Sequence, residues 1–167
     1  QTFHHSYGME TLGLRYFNVF GPRQDPEGAY AAVIPRWFKS YLEGNAPVIF
    51  GDGETSRDFC YVQNVVEANL KAALTTNRDS FGEAFNVALG YKTTLNELAE
   101  LIGSSVLQSN ANLKITAPTY EDFRAGDVRH SLANTDKAQA CFGYEGGLLI
   151  KEGLERSASY YLGLFQA

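Results

Sequence analysis

Metal-binding residues are scarce in this 167-residue chain. Its three histidines, His4, His5 and His130, show no H-x-x-x-H or H-E-x-x-H spacing, and its two cysteines, Cys60 and Cys141, match no ligand pattern. No metal site is therefore expected. The cysteines could form one disulfide, but free thiols in a reducing cytosol are the favoured reading, and with it a cytoplasmic location. No apolar run approaches the roughly 20 residues needed to span a bilayer. The opening QTFHHSYGME has neither the basic nor the apolar segment of a signal peptide, and it lacks an initiator Met, as a fragment would. Positive charge is also short. Fourteen Lys and Arg against 19 Asp and Glu give a formal net charge of −5, which argues against bulk attraction to nucleic acid or an anionic membrane.

With 44% hydrophobic and 20% charged residues, the composition is that of an ordinary globular domain with a real core. There is no repeat, low-complexity stretch or linker. LGLRYFNVFGP (12–22) reads as a buried strand ending at Gly21-Pro22. AAVIPRWFKSYLEGN (31–45) has helical periodicity, stops at Gly44-Asn45 and must place Pro35 in its first turn. PVIF (47–50) and DFCYV (58–62) are short β-rich runs. VVEANLKAALTT (65–76) puts Val65, Val66, Leu70, Ala73 and Leu74 on one helical face.

Further on, AFNVAL (84–89) reads as a strand, and TLNELAELIGSSV (94–106) as a helix opened by a Thr94–Glu97 capping box. LKITAP (113–118) reads as a strand that Pro118 ends. NTDKAQACFG (134–143) is a short helix running from an Asn or Thr cap to a Gly stop. KEGLERSASYYLGLF (151–165) is a last helix burying Leu154, Ala158, Tyr161, Leu162 and Phe165. Strands and helices mix without long βα alternation, so the class is α/β or α+β.

One stretch, FGDGETSRDFCYV (50–62), carries two signals. Gly51, Gly53 and Ser56 approximate the glycine-rich loop of a dinucleotide site. Such a loop must follow a strand and open a helix, whereas here a strand-like run follows, with no helix N-terminus facing the loop. Asp52-Gly53 between two apolar β runs instead predicts a hairpin turn. That turn delivers Arg57 to the start of a strand. Taken alone, Arg57 reads as a surface arginine, but FRAGDVRH (123–130) adds Arg124 and Asp127 around a glycine. An arginine fork suits phosphate, and an aspartate three residues on suits a pair of ribose hydroxyls. Asn18, at the end of a strand in RYFNVFGPRQ (15–24), stands where α/β folds place ligands. Together these residues suit a phosphorylated small molecule. Trp37 and the tyrosines read as core or interface residues. His4-His5 reads as a solvated pair and His130 as a surface residue. No Ser-His-Asp or Cys-His arrangement has supporting context.

Four stretches in order, LRYFNVFGPRQDPEGAYAAVIPRW (14–37), GDGETSRDFCYV (51–62), FNVALGYKTTLNELAELI (85–102) and FRAGDVRHSLANTDKA (123–138), resemble the C-terminal part of the extended short-chain dehydrogenase/reductase family, in particular nucleotide-sugar 4-epimerases acting on UDP-N-acetylglucosamine. The resemblance covers almost the whole chain. It implies an α/β fold made of the last strand region of a Rossmann domain plus a small mixed α/β domain. Residues 1–167 would then be a single substrate-binding fragment, with about 1–25 the tail of an N-terminal Rossmann domain.

The resemblance also implies roles. Asn18 would bind the diphosphate, with Gln24 near the sugar. Ala32 and Val33 would hold the uracil edge through backbone groups, with Trp37 lining that end. Arg57 and Arg124 would clamp the diphosphate, Asp127 would take the ribose hydroxyls, and Tyr16 and Phe17 would flank the nicotinamide of NAD. Ser131 stands where relatives specific for plain hexoses often carry tyrosine, which implies room for an N-acetyl group.

The family's glycine fingerprint and its Tyr-x-x-x-Lys catalytic pair are not in these residues, so no catalytic residue is assigned, and the fragment is expected to bind UDP-sugar rather than turn it over. Asn64 and Asn134 stand where relatives often carry Asp. The implied intact enzyme is an NAD-dependent, homodimeric isomerase of UDP-GlcNAc and UDP-GalNAc serving polysaccharide biosynthesis. A UDP-glucuronate decarboxylase or epimerase, a dTDP-sugar dehydratase and a non-catalytic nucleotide-sugar-binding module are the alternatives.

Overall fold

Short strands and longer helices follow one another along the computed structural model, which describes residues 1–28 and 32–165. In chain order they are α1 (Thr2–Tyr7), β1 (Gly13–Tyr16), β2 (Val19–Phe20), α2 (Val33–Leu42), β3 (Val48–Phe50), β4 (Ser56–Arg57), β5 (Cys60–Tyr61), α3 (Val62–Leu74), β6 (Ala84–Val87), β7 (Thr93–Thr94), α4 (Leu95–Ser109), β8 (Thr119–Glu121), α5 (Asp136–Phe142) and α6 (Ile150–Phe165). A 3-10 turn covers Arg78–Ser80. These elements gather into two compact units.

The first unit holds Gln1–Val19, Asp58–Tyr91 and Leu132–Leu149. Its β1 and β6 pair in parallel, Gly13 beside Ala84 through Tyr16 beside Val87. α3 and α5 pack on β6, enclosing Cys60, Ala68, Phe85, Val87, Ala138 and Tyr144. The 12–22 run is not one buried strand. Asn18 takes a φ of 34°, which splits it, and most of β1 is exposed. The expected face of α3 is also corrected. Its buried residues are Asn64, Ala68 and Ala72, while Val66, Leu70 and Leu74 are 51%, 58% and 79% exposed. Two small alanines let the helix axis lie close to β6, so the row that packs is not the bulkiest one. α5 ends as expected, at Gly143 with a φ of 70°. The Asp136 amide donates to Asn134 Oδ1 at 3.0 Å at its start.

The second unit holds Phe20–Arg57, Lys92–Ser131 and the chain from Ile150 onward. α4 packs against α6, and α2 against both. Ile34, Phe38, Leu98, Ile102, Leu154 and Tyr161 are at most 1% exposed, each contributing roughly 1.5–3 kcal/mol on burial. The Phe38 and Tyr161 rings stack at 4.9 Å, and the Tyr161 hydroxyl donates to Gly21 O at 3.0 Å. α2 carries Pro35 in its first turn as required; Ala31, the first residue expected in this helix, lies outside the described residues. The capping box of α4 is complete. Glu97 N donates to Thr94 Oγ1 at 3.1 Å and Thr94 N to Glu97 Oε2 at 2.8 Å.

Two expectations fail here. Residues 113–118 form no strand; β8 begins after them, with Thr119 N donating to Pro47 O at 3.0 Å. Pro118 has no N–H for a ladder, so pairing starts one residue later. Nor does Asp52-Gly53 close a hairpin. β3 pairs in parallel with β8, Val48 beside Thr119, while β4 pairs antiparallel with β7, Ser56 beside Thr94. The N-terminus of α4 redirects the chain: Leu95 N donates to Thr55 O at 3.0 Å and Asn96 N to Gly53 O at 3.1 Å.

Candidate ligand site

Those two hydrogen bonds correct the sequence reading of the glycine-rich stretch. A helix N-terminus does face the loop, but its first amides are engaged by the loop's own carbonyls, so no phosphate cradle remains. The glycines serve close packing. A Cβ on Gly51 would lie 2.2 Å from the Phe123 ring, and one on Gly53 would lie 1.9 Å from Asn96 Oδ1. Both also hold positive φ, 87° and 79°.

Arg57, in β4, anchors a polar cluster in the second unit. Its Nη2 lies 2.5 Å from Asp127 Oδ1, and its Nη1 donates to Ser56 O at 2.9 Å and to Arg129 O at 3.4 Å. Segment 129–131 runs beside β4: Ser56 N donates to Arg129 O at 2.9 Å, and Ser131 N to Ser56 O at 3.1 Å. His130 is exposed, as expected, but its Nδ1 lies 2.9 Å from Ser56 Oγ. A turn brings Arg124 and Asp127 together, with Asp127 N donating to Arg124 O at 3.3 Å and Gly126 at a φ of 79°. The Arg124 guanidinium lies 3.8 Å from the centre of the Phe50 ring. Arg129 pairs with Asp52 at 2.6 Å, and this hydrogen bond holds the Asp52 carboxyl below the usual aspartate range. Three arginines thus converge on one loop region, two of them anticipated from sequence.

The other expected residues of this unit are placed as follows. Trp37 is 5% exposed within α2. Ala32 is the N-cap of α2 and Val33 its first residue; no side chain caps this helix among the described residues. Gln24 is partly buried, and its carbonyl accepts from the Tyr161 hydroxyl at 3.4 Å. A groove of about 590 Å³ runs along α4, lined by Tyr41, Ala99, Gly103, Leu107, Ile115 and Tyr120 among others; none of the expected site residues lines it.

In the first unit, Tyr16, Phe17 and Asn18 follow one another at the C-terminal end of β1, the end where parallel strands present ligands. Tyr16 is 49% exposed, with its hydroxyl donating to Asn69 Oδ1 at 3.1 Å. Phe17 N donates to Val87 O at 3.0 Å. Asn18 Nδ2 donates to Asp58 O at 2.9 Å. The sequence reading missed Asp58, a fully buried carboxylate accepting from Leu89 N at 2.9 Å, Gly90 N at 3.0 Å and Ala133 N at 3.3 Å. Burial pushes its carboxyl above the ordinary value, and the three amides oppose this. The signal was available: an aspartate inside the apolar run DFCYV needs buried partners.

Cys60 and Cys141 are free thiols, and burial pushes Cys60 up to about 11. Among the described residues no group of His, Cys, Asp or Glu could hold a metal, and no helix is long and apolar enough to cross a membrane.

Over 154 residues the chain is 35% identical to a putative UDP-glucose 4-epimerase of Methanocaldococcus jannaschii, a match covering 92% of this chain and 46% of the relative. The structure of UDP-glucose 4-epimerase from Thermotoga maritima with UDP-glucose superposes with a TM-score of 0.84 at 37% identity, covering 98% of this chain and 49% of that one. UDP-N-acetylglucosamine 4-epimerase from Methanobrevibacter ruminantium, in complex with UDP-N-acetylmuramic acid, gives 0.80 at 39% identity, with the same coverage of 98% and 49%. The chain thus spans about half the length of these relatives, and its mixed α/β fold superposes on the two structures over 98% of its residues. Residues 1–88, more than half of the chain, match the NAD dependent epimerase/dehydratase family, and the chain belongs to that family.

Proposed function

We propose that this chain is the sugar-nucleotide-binding part of an NAD-dependent UDP-N-acetylhexosamine 4-epimerase, interconverting UDP-GlcNAc and UDP-GalNAc in a longer protein whose remaining half holds most of the cofactor. The observation that carries the reading is the joining of Arg57, Arg124 and Asp127 around one strand and one turn. Two guanidinium groups can flank a diphosphate through charge-assisted hydrogen bonds, and a carboxylate beside them can accept from a ribose diol. The two structures named above hold UDP-glucose and UDP-N-acetylmuramic acid, which fits that chemistry.

The remaining expected residues keep, in this reading, the roles that the resemblance implies. Asn18 reaches the diphosphate, Gln24 the sugar end, and the backbone of Ala32 and Val33 the uracil edge beside Trp37. Tyr16 and Phe17 flank the nicotinamide, and the exposure of the Tyr16 ring suits stacking against a flat group. NAD, when bound, supplies hydride transfer at the sugar C4. The exposed row Val62, Val66, Leu70 and Leu74 on α3 is consistent with further sequence packing there.

Calorimetry with UDP-GlcNAc tests the reading. Arg57→Ala and Arg124→Ala should each weaken binding by about one to two decades, the loss of one charge-assisted contact. Binding indifferent to both substitutions refutes it.

A further inference from the structure

We propose that Asp127 determines specificity by occupying Arg57 itself, so that the site admits a ribonucleoside diphosphate and rejects bare pyrophosphate or phosphate. The proposal rests on the reading that Arg57 receives the diphosphate, and adds a competition within the chain. The Arg57 fork is engaged by the protein's own groups, with Asp127 Oδ1 on Nη2 and the carbonyls of Ser56 and Arg129 on Nη1. The guanidinium is largely enclosed, its side chain 17% exposed, whereas Asp127 is 47% exposed. An anion approaching Arg57 therefore meets a carboxylate first, and repulsion between like charges opposes it.

Asp127 is also the member of the pair that can move. It ends a four-residue turn whose Gly126 has no atom within 4 Å of where a Cβ would stand. A carboxylate leaving Arg57 must find new donors or lose hydrogen-bond energy. A ribose diol supplies two hydroxyl donors on the same molecule that brings the diphosphate. Pyrophosphate supplies negative charge and no such donors. The ribose thus compensates for opening the Arg57–Asp127 pair, and an anion without a ribose is disfavoured. Arg124 does not share this competition, because its guanidinium rests on Phe50 rather than on a carboxylate.

The test titrates the full chain and its Asp127→Asn, Asp127→Ser and Arg57→Ala variants with UDP and with inorganic pyrophosphate, after thermal melts confirm folding. Both Asp127 variants should bind pyrophosphate about three- to tenfold more tightly than wild type, the scale of one ion pair. Their UDP affinity should stay level or fall, so the preference for UDP over pyrophosphate shrinks. Arg57→Ala should weaken both ligands. Unchanged or weaker pyrophosphate binding in both Asp127 variants, with Arg57→Ala still weakening it, overturns the competition alone. Indifference of both ligands to Arg57→Ala overturns the diphosphate site and this proposal together.

Discussion

Asp58 accepts the Leu89 amide at 2.9 Å through one carboxylate oxygen, while its other oxygen takes Gly90 at 3.0 Å and Ala133 at 3.3 Å. One fully buried side chain therefore ties the end of the β6 segment to the chain leading into α5. Asp58→Ala leaves three amides without an acceptor, each costing about 1–3 kcal/mol where water cannot reach it. Urea denaturation should show a loss of at least about 2 kcal/mol, with Asp58→Asn intermediate because it keeps one acceptor oxygen. A loss under about 0.5 kcal/mol, the level of an ordinary surface substitution, contradicts this role.

The Asp52–Arg129 pair has a pH signature. The Arg129 hydrogen bond, and then the Glu54 amide, hold the Asp52 carboxyl below its ordinary value. A depressed folded-state pKa means that the pair contributes stability above the unfolded pKa of about 3.9, and that this contribution is lost as pH falls through the folded value. Carboxyl NMR titration should place the Asp52 midpoint below that of an unpaired aspartate. Arg129→Ala should move it upward, and an unmoved midpoint would show that the pair does not persist in solution.

Gly53 and Gly143 separate crowding from backbone strain. Both hold positive φ, 79° and 70°, but a Cβ at Gly143 meets nothing within 4 Å, while one at Gly53 strikes Asn96 Oδ1. Asn96 cannot yield cheaply, since its side chain bonds Asp52 O, Glu54 Oε1 and the Tyr120 hydroxyl. Gly143→Ala should cost about 1–2 kcal/mol, the left-handed penalty. Gly53→Ala should cost about 1–3 kcal/mol more, as those hydrogen bonds are displaced. Equal melting shifts would mean that Asn96 rearranges freely.

What the sequence made legible was local. Thr94 and Glu97 lie three residues apart, so their reciprocal cap depends on nothing distant, and the Gly143 stop of α5 is equally self-contained. Leu154, Ala158 and Tyr161 were readable as the buried row of α6 from their helical spacing, whereas Leu162 and Phe165, expected beside them, are only partly buried. α3 has apolar rows on two faces, and periodicity cannot say which of them meets β6. The hairpin expectation failed for a similar reason. Asp52-Gly53 specifies a turn, but α4 and the β7 and β8 partners, far along the chain, decide where the strands go. Arg57 and Asp127 were read from the sequence as members of one ligand site; their direct pairing across 70 positions was not visible until the fold brought β4 beside the 124–131 loop.

Ser131 offers the sharpest test of sugar selectivity. Its amide donates to Ser56 O at 3.1 Å, so a new side chain can be introduced while the backbone contact that fixes the residue remains. In the proposed reading the small hydroxymethyl group leaves room for the C2 N-acetyl substituent. Ser131→Tyr fills that room, and overpacking costs about 1–3 kcal/mol, or about five- to hundredfold in affinity. UDP-GlcNAc should therefore bind more weakly by that factor, while UDP-glucose, without the substituent, should change little. Equal losses for both sugars would mean that the tyrosine disturbs the loop rather than the N-acetyl space. Unchanged affinities would mean that Ser131 does not face the sugar.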